Sequence, residues 1–391
     1  MSIKEIFKLV LGWRVLLVLV VLPAMFLLPP RTRFTNLTEK PSFGNIFSMW
    51  SNFDGLHYLD LAQFGYGYQH KTDMDYAFFP IYPWMVGTFN FFGSYLATGL
   101  IYSHLFLILA LYFLFRLVLL DFSKKIARNT IILTLIFPTA FYFGTVYTES
   151  LFLLLVVLTF YLIRRQQFFL ACLLAALASA TRITGIFLWP SIIYEFWLVY
   201  HSQILSSLRM RADGTRRGRS IKFIPKIILL TLPPLGLFSF MRFQYLRTGD
   251  PLFFFHIQSV FGGRTVDKLI LLHQVFFRYF KMLIFTDWDP LYFTVVLELL
   301  SAVIILSILI FFFKKIRFSY WLFVLFSFLL PTFSGTFMSM PRFILVLFPI
   351  FIVLAYWLEK QHPFTKLVLY TICILMSIFS VIFFTRGYFV A

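Results

Sequence analysis

"AFFPIYPWMVGTFNFFG", Ala77 to Gly93, is apolar enough to pass for a membrane span, and its reading sets the topology of everything after it. Counted as a span, it would turn every later basic loop outward. Left out, the loops agree with one another. The segments "KKIAR" (Lys124 to Arg128), "RR" (Arg164, Arg165), "RMRADGTRRGRS" (Arg209 to Ser220), "KKIR" (Lys314 to Arg317) and "EKQHPFTK" (Glu359 to Lys366) then share one face with Lys4, Lys8 and Arg14 near the N-terminus. An excess of Lys and Arg marks the cytoplasmic side, so the N-terminus is expected inside. Ala77 to Gly93 therefore reads as an interfacial or partly re-entrant helix, with Pro80 and Pro83 at its entry and its aromatics at headgroup level.

The 391-residue chain is 60% hydrophobic and 13% charged, which excludes an ordinary soluble globule and indicates an all-α, polytopic membrane protein, a single membrane domain over 1–391. Its net charge of +18 sits in short clusters between apolar runs, so the partner it implies is the anionic cytoplasmic leaflet, not nucleic acid. Cys172 and Cys373 each lie in an apolar run with no Cys or His at ligand spacing, and neither a disulfide framework nor a thiolate metal site is expected. The first apolar run is longer than a signal-peptide core and no small-residue cleavage site follows it, so it is expected to be retained.

Apolar runs between charges predict spans near 7–28, 96–120, 129–147, 149–163, 167–181, 183–200, 223–243, 290–313, 318–338, 341–358 and 364–385, about eleven transmembrane helices. Residues 29–95 then form a large outer loop with membrane-lying helices, 201–222 a basic cytoplasmic loop, and 244–289 a second outer loop. Residue 148 and its neighbours, 182–184, 335–341 and the C-terminal tail fall outside as well.

The first outer loop carries "WSNFDGLHYLDLAQFGY". Asp54, half-screened at a membrane surface, is placed to act as a general base toward an acceptor hydroxyl, and Gly55 after it permits an unusual backbone angle or close approach of a substrate. The plainer reading is that Asp54 caps an amphipathic helix with Leu56, Leu59 and Leu61 on its apolar side. His57, three residues on, could share a face with Asp54 and hold an acceptor hydroxyl or orient the carboxylate, with Tyr58 beside it. Asp73 and Asp75 read as a polar rim.

Glu149 in "FGTVYTESLFLLL" is a second outward acid, at a turn between spans. It is costly toward lipid and so faces a cavity, a partner or water, or else sits in a first helical turn behind a capping Thr148. Arg182 in "ASATRITGIF" and Arg342 in "SMPRFILVLFP" either snorkel or clamp a lipid phosphate on the side of the two acids. In "TGDPLFFFHIQSVFGGRT", His256 and Gln258 are the polar groups able to bind sugar hydroxyls. Asp287 and Asp289 close that loop. Two outer carboxylates could take a divalent metal, and the sequence leaves metal dependence open.

Together, "FDGLHYLDLAQFGY", "AFFPIYPWMV", "YTESLFLLL", "SATRITGIF" and "GDPLFFFHIQ", in this order, resemble the motifs of PIG-V-like mannosyltransferases, the GPI mannosyltransferase II family and its prokaryotic relatives, within the GT-C class of membrane glycosyltransferases. The resemblance covers about residues 50 to 260, with "MPRFILVLFP" a weaker later match. It implies a GT-C-like bundle that moves a mannose-like hexose, with inversion, from a polyprenyl-phosphate sugar donor to a glycolipid or glycan acceptor at the non-cytoplasmic face. It further implies Asp54 as base, Glu149 as second acid, and His57, Arg182 and Arg342 as contacts to donor phosphate or acceptor. The membrane would be the plasma membrane in a prokaryote and the endoplasmic reticulum in a eukaryote. Phe53 departs from the Trp-Asp pair usual before the Gly, and "SVFGG" replaces the Trp expected after the Gln.

A transporter or flippase of lipid-linked sugars is the main rival. It requires ionisable groups near mid-span, and Glu298 in "LYFTVVLELL" is the main residue of that kind.

Overall fold

The computed structural model describes residues 1–31, 35, 43–67, 73–212, 227–260 and 264–390. Its α-helices are α1 (Ile3–Leu27), α2 (Phe43–Ser48), α3 (Asp54–Phe64), α4 (Ile81–Thr88), α5 (Tyr95–Val118), α6 (Lys124–Ile136), α7 (Glu149–Arg164), α8 (Phe168–Ser179), α9 (Leu188–Ala212), α10 (Leu232–Thr248), α11 (Phe253–His256), α12 (Leu272–Phe285), α13 (Pro290–Phe311), α14 (Phe318–Thr332), α15 (Met340–Ile344), α16 (Phe348–Glu359) and α17 (Pro363–Thr385). No strand occurs among the described residues.

Among the described residues five helical runs are long and apolar enough to cross a membrane: Ile3–Leu27, Tyr95–Val118, Ile183–His201, Pro290–Phe311 and Pro363–Thr385. The shorter apolar helices are more informative. α8 and α16 have 12 residues each and α14 has 15, and at 1.5 Å per residue they rise only ~18–23 Å against a hydrocarbon thickness of ~30 Å. α7, with 16 residues, is little longer. 3₁₀ backbone adjoins two of these helices, Ala140–Gly144 ahead of α7 and Ile183–Phe187 between α8 and α9. Irregular backbone in a membrane protein is tolerated where protein or a cavity surrounds it, and Ala140–Gly144 are all buried.

Two expected spans are corrected accordingly. The run 129–147 breaks at Ile136, one residue before Phe137 and Pro138, because a residue preceding proline is driven out of the helical region. The run 341–358 divides into α15 and α16, each with a proline in its first turn, where the missing N–H costs nothing. Ala77 to Gly93 contains only the eight-residue α4, too short to cross. α9 continues to Ala212, so the first half of the expected loop 201–222 is helix, and residues 213–226 lie outside the described residues. The second loop holds a helix that its mixed pattern concealed, α12, which buries Val275 and Tyr279 and leaves Phe277, Phe280 and Ile284 exposed.

The opposite ends of α7 show how the two kinds of connection separate. Glu149 begins the helix, and Arg164 ends it in a bidentate pair with Asp121. Near that end Lys125 pairs with Glu359 at 2.6 Å, and Arg317 pairs with the buried Glu195 at 2.8 Å. Arg14 behaves differently from Lys4 and Lys8. It is inside α1, with its guanidinium 3.7 Å from the centre of the buried Trp50 ring and a hydrogen bond donated to Gly144 O, so it is a packing residue and carries no topological signal.

α8 and α10 cross at Gly236. A Cβ there would stand 1.9 Å from Ala176 O and 2.5 Å from Ser179 Oγ, so backbone approaches backbone with no room for a side chain. Gly236→Val is expected to cost at least about 3 kcal/mol by forcing the helices apart. An unchanged unfolding temperature of the purified variant in detergent would contradict this packing.

Candidate active site

The site is built on an unusual turn. Phe53 has φ 58° and ψ −120° and ends the extended approach, so that Asp54 becomes the first residue of α3. Such a conformation costs a non-glycine residue about 1–3 kcal/mol and is held from both sides. Asn52 donates from Nδ2 to Phe384 O at 2.9 Å, and Tyr147 donates its hydroxyl to Asn52 O at 2.7 Å. The Phe53 ring lies against Phe384 and Phe389, with centroids 5.8 and 5.7 Å away. The unusual angle expected at Gly55 is thus at Phe53. Gly55 is buried, and a Cβ there would be 3.3 Å from Tyr147 and Ser51, so the close approach it permits is to protein and not to substrate. Nor does Asp54 cap α3; it follows the cap position.

Four charges then run in a chain. Arg342 donates from Nη1 to Asp54 Oδ2 at 2.5 Å, and its Nε lies 3.3 Å from Glu149 Oε1, an ion contact without good hydrogen-bond alignment. Arg182 donates from Nη1 to the same Glu149 oxygen at 2.7 Å. Glu149 is 1% exposed, which makes this a set of mutually dependent groups and not a surface network. Aromatic faces complete the enclosure, with Arg342 over Tyr142 and Tyr147 and Arg182 over Phe152 and Phe343. Thr148 stands at the cap position of α7 without a side-chain cap bond, so Glu149 is held by its cations and not by a capping motif.

α15 presents Arg342 after Ser339, which has φ 68°. Ser339 N donates to Glu298 Oε1 at 3.3 Å and Tyr279 donates its hydroxyl to Glu298 Oε2 at 2.5 Å. Thr139 further ties Pro341 O at 2.5 Å. Glu298 is thereby a buried acid whose hydrogen bonds fix the turn ahead of Arg342.

A cavity of about 220 Å³ opens beside this chain. Asp54, Tyr58, Arg182, Gln258, Arg264 and Arg342 supply its principal polar lining, and Phe78, Phe79, Phe254, Phe343 and Phe389 much of its apolar wall. Its lining comes from Asp54 and Tyr58, from 77–79 and 181–184, from Phe254, Phe255, Gln258, Arg264 and Val266, from residues between 330 and 343, and from Phe389, most of them in or next to connections that the basic-loop pattern expects on one side. Five of the expected residues, Asp54, Tyr58, Arg182, Gln258 and Arg342, therefore meet at one cavity. Glu149 is behind it, touching its cations.

His57 and His256 are elsewhere. His57 donates from Nδ1 to Asp75 Oδ1 at 2.9 Å and stacks on Phe78, beside the cavity wall rather than in it. Asp75 is correspondingly buried and not the rim residue expected, whereas Asp73 is exposed. His256 pairs with Asp250 at 2.6 Å with its side chain 52% exposed, and does not line the cavity. Asp289 caps α13 through Leu291 N and Tyr292 N. Arg264 and Phe389 were not anticipated. Arg264 lies within the quoted "VFGGRT", but the cations Arg242, Arg247, Lys268, Arg278 and Lys281 in or beside the same loop gave no reason to choose it.

Burial pushes the Asp54 carboxyl up, but the charge and hydrogen bond of Arg342 outweigh it and hold Asp54 below the usual 3.8. For His57, burial works downward, and the Asp75 hydrogen bond with the charges of Asp54 and Asp75 prevails, raising it above 6.5. A raised histidine contributes stability below its unfolded value and loses it as pH climbs through the folded value. His57→Gln is thus expected to cost about 1 kcal/mol at pH 6, a deficit that shrinks above pH 6.5. Thermal unfolding across pH 6 to 9 checks this, and a deficit that grows with pH would contradict it.

Among the described residues no group of three or more His, Cys, Asp or Glu side chains comes together as metal ligands. The two site carboxylates face guanidiniums instead.

Fold and site together define a polytopic helical membrane protein with a buried acid and arginine chain at one cavity. No family model matches the chain, and no solved structure does. It is similar to GPI mannosyltransferase 2 of Schizosaccharomyces pombe, 27% identical over 164 residues, which is 40% of this chain and 34% of that protein. The chain thus spans about a third of the length of that relative.

Proposed function

We propose that this protein is an inverting membrane glycosyltransferase of the GT-C, PIG-V-like kind, moving a mannose-like hexose from a polyprenyl-phosphate donor to a glycolipid or glycan hydroxyl on the non-cytoplasmic face. The observation that carries the reading is the placement of Asp54 in one cavity with Arg182, Arg264 and Arg342. A base and several cations are what this displacement needs, since a hydroxyl must lose a proton while a phosphate gains charge. The similarity to a mannosyltransferase supports the choice of sugar.

In this reading the acceptor oxygen attacks the anomeric carbon, its proton passes to Asp54, and the bond from that carbon to the phosphate oxygen breaks with its electron pair on the leaving polyprenyl phosphate. One displacement inverts the centre. Asp54 is a weak base while Arg342 holds it. Arg342 turning toward the donor phosphate would release the carboxylate, so donor binding would raise its basicity at the moment it is needed. Glu149 holds Arg182 and Arg342 in place and is a positioning residue, Tyr58 and Gln258 offer polar contacts, and His57 supports the wall. His256 has no part in this assignment.

A carrier of lipid-linked sugars is less well supported, because Glu298 is engaged by Tyr279 and Ser339 and does not line the cavity. The test is incubation of the purified protein with radiolabelled polyprenyl-phosphate mannose and membrane lipids. Release of polyprenyl monophosphate in step with labelled product supports a transferase. Movement of intact donor across a vesicle without release would overturn it.

A further inference from the structure

Among the described residues three guanidiniums line the cavity and one carboxylate, Asp54, lines it with them. Arg342 is answered by Asp54 and Glu149, and Arg182 by Glu149. Arg264 has no carboxylate within ion-pair distance among the described residues; its guanidinium Nη1 donates to the neutral amide oxygen of Gln258. Gln258 in turn donates from Nε2 to Phe254 O at 3.3 Å, one turn back, so the amide is fixed and its oxygen is left for Arg264. A cation in a partly apolar cavity, fixed by an amide and with no carboxylate at ion-pair distance among the described residues, suits the anionic group of a ligand.

We propose that Arg264, oriented by Gln258, is the anchor for a phosphate group in this cavity, and on the transferase reading that group is the phosphate of the polyprenyl donor. Its neighbours give the placement a direction. Burial and the nearby Arg342 pull the Arg264 guanidinium down to about 10, and the more distant charges of Asp54 and Glu298 push the other way, so Arg264 feels both Arg342 and Asp54. An anion bound between Arg264 and Arg342 would be adjacent to Asp54. As the sugar–phosphate bond breaks, charge on the phosphate grows, and a fixed guanidinium gains more from the leaving group than from the intact donor. Arg264 would then contribute to the chemical step as well as to binding. The apolar wall of Phe78, Phe79, Phe254 and Phe343 suits an isoprenoid tail beside the phosphate.

The test uses the full chain in detergent, with farnesyl monophosphate and inorganic phosphate as probes and binding followed by calorimetry. Wild type is expected to bind farnesyl monophosphate, and Arg264→Gln to weaken it at least about tenfold, with partial recovery in Arg264→Lys. Gln258→Leu, which leaves the charge in place, should weaken it by a smaller factor. Asp54→Asn should bind as well as wild type or better, because a negative charge is removed from the site, and this separates anchoring from base catalysis. Inorganic phosphate competing as strongly as the lipid probe would assign the site to free phosphate and overturn the donor assignment. Equal binding by wild type and a folded Arg264→Gln would overturn the anchor and leave the transferase reading intact. No binding of farnesyl monophosphate by wild type would overturn that reading itself.

Discussion

Asp54→Asn should lower kcat by about 10³-fold while leaving the donor KM within a few-fold of wild type, the pattern of a group acting on the proton and not on binding. The substitution is nearly isosteric, and Glu149 still lies 3.3 Å from Arg342, so the fold should survive. Because Arg342 holds Asp54 below 3.8, the proposed base is already ionised at neutral pH. Its protonation therefore sets an acidic limb of kcat/KM below pH 3.8 and not near 5 or 6. Steady-state transfer from polyprenyl-phosphate mannose measures both effects. Comparable kcat in the two proteins would remove Asp54 as base.

Glu149→Gln should have the largest effect on stability. It strips the shared partner from Arg182 and leaves Arg342 with Asp54 alone, in a site where Glu149 is 1% exposed. Breaking a buried pair typically costs about 3–5 kcal/mol, chiefly because the stranded charge has no solvent. The expected result is a protein recovered in low yield with a lowered unfolding temperature. Removing one cation as well, in Glu149→Gln with Arg182→Gln, should restore part of the loss, since the remaining Arg342 keeps Asp54. If the double variant were less stable than either single one, charge balance would not be the reason Glu149 is there.

The legible parts of this protein were those written in charge. Lys and Arg clusters give the expected grouping of the connections, and Asp54, Arg182, Gln258 and Arg342, which that grouping expects on one side, line one cavity. Hydropathy located the apolar runs but not where their helices stop. In the run 129–147 hydropathy alone carries on past Ile136, and the signal that ends the helix is Pro138, which hydropathy does not register. Phe53 was opaque for another reason. Its positive φ is imposed by Asn52, Phe384 and Phe389, and Phe384 and Phe389 are more than 300 residues distant. The histidines failed differently. His57 and His256 each found an acid, Asp75 and Asp250, that spacing could not distinguish from a solvated neighbour. Arg264 was visible but indistinct, since what singles it out is the absence of a carboxylate partner, and only the folded arrangement records that.

On the proposed function a sugar-phosphate lipid binds at the cavity between Asp54 and the three arginines. A cryo-electron-microscopy map of the protein with a non-hydrolysable phosphonate analogue of polyprenyl-phosphate mannose tests it most directly. The phosphonate is expected against Arg264 and Arg342, the anomeric carbon toward Asp54, and the tail along the Phe78 and Phe254 wall. Density for the analogue at the opposite end of the bundle, near Arg164 and Arg317, with the Asp54 cavity empty, would contradict the account.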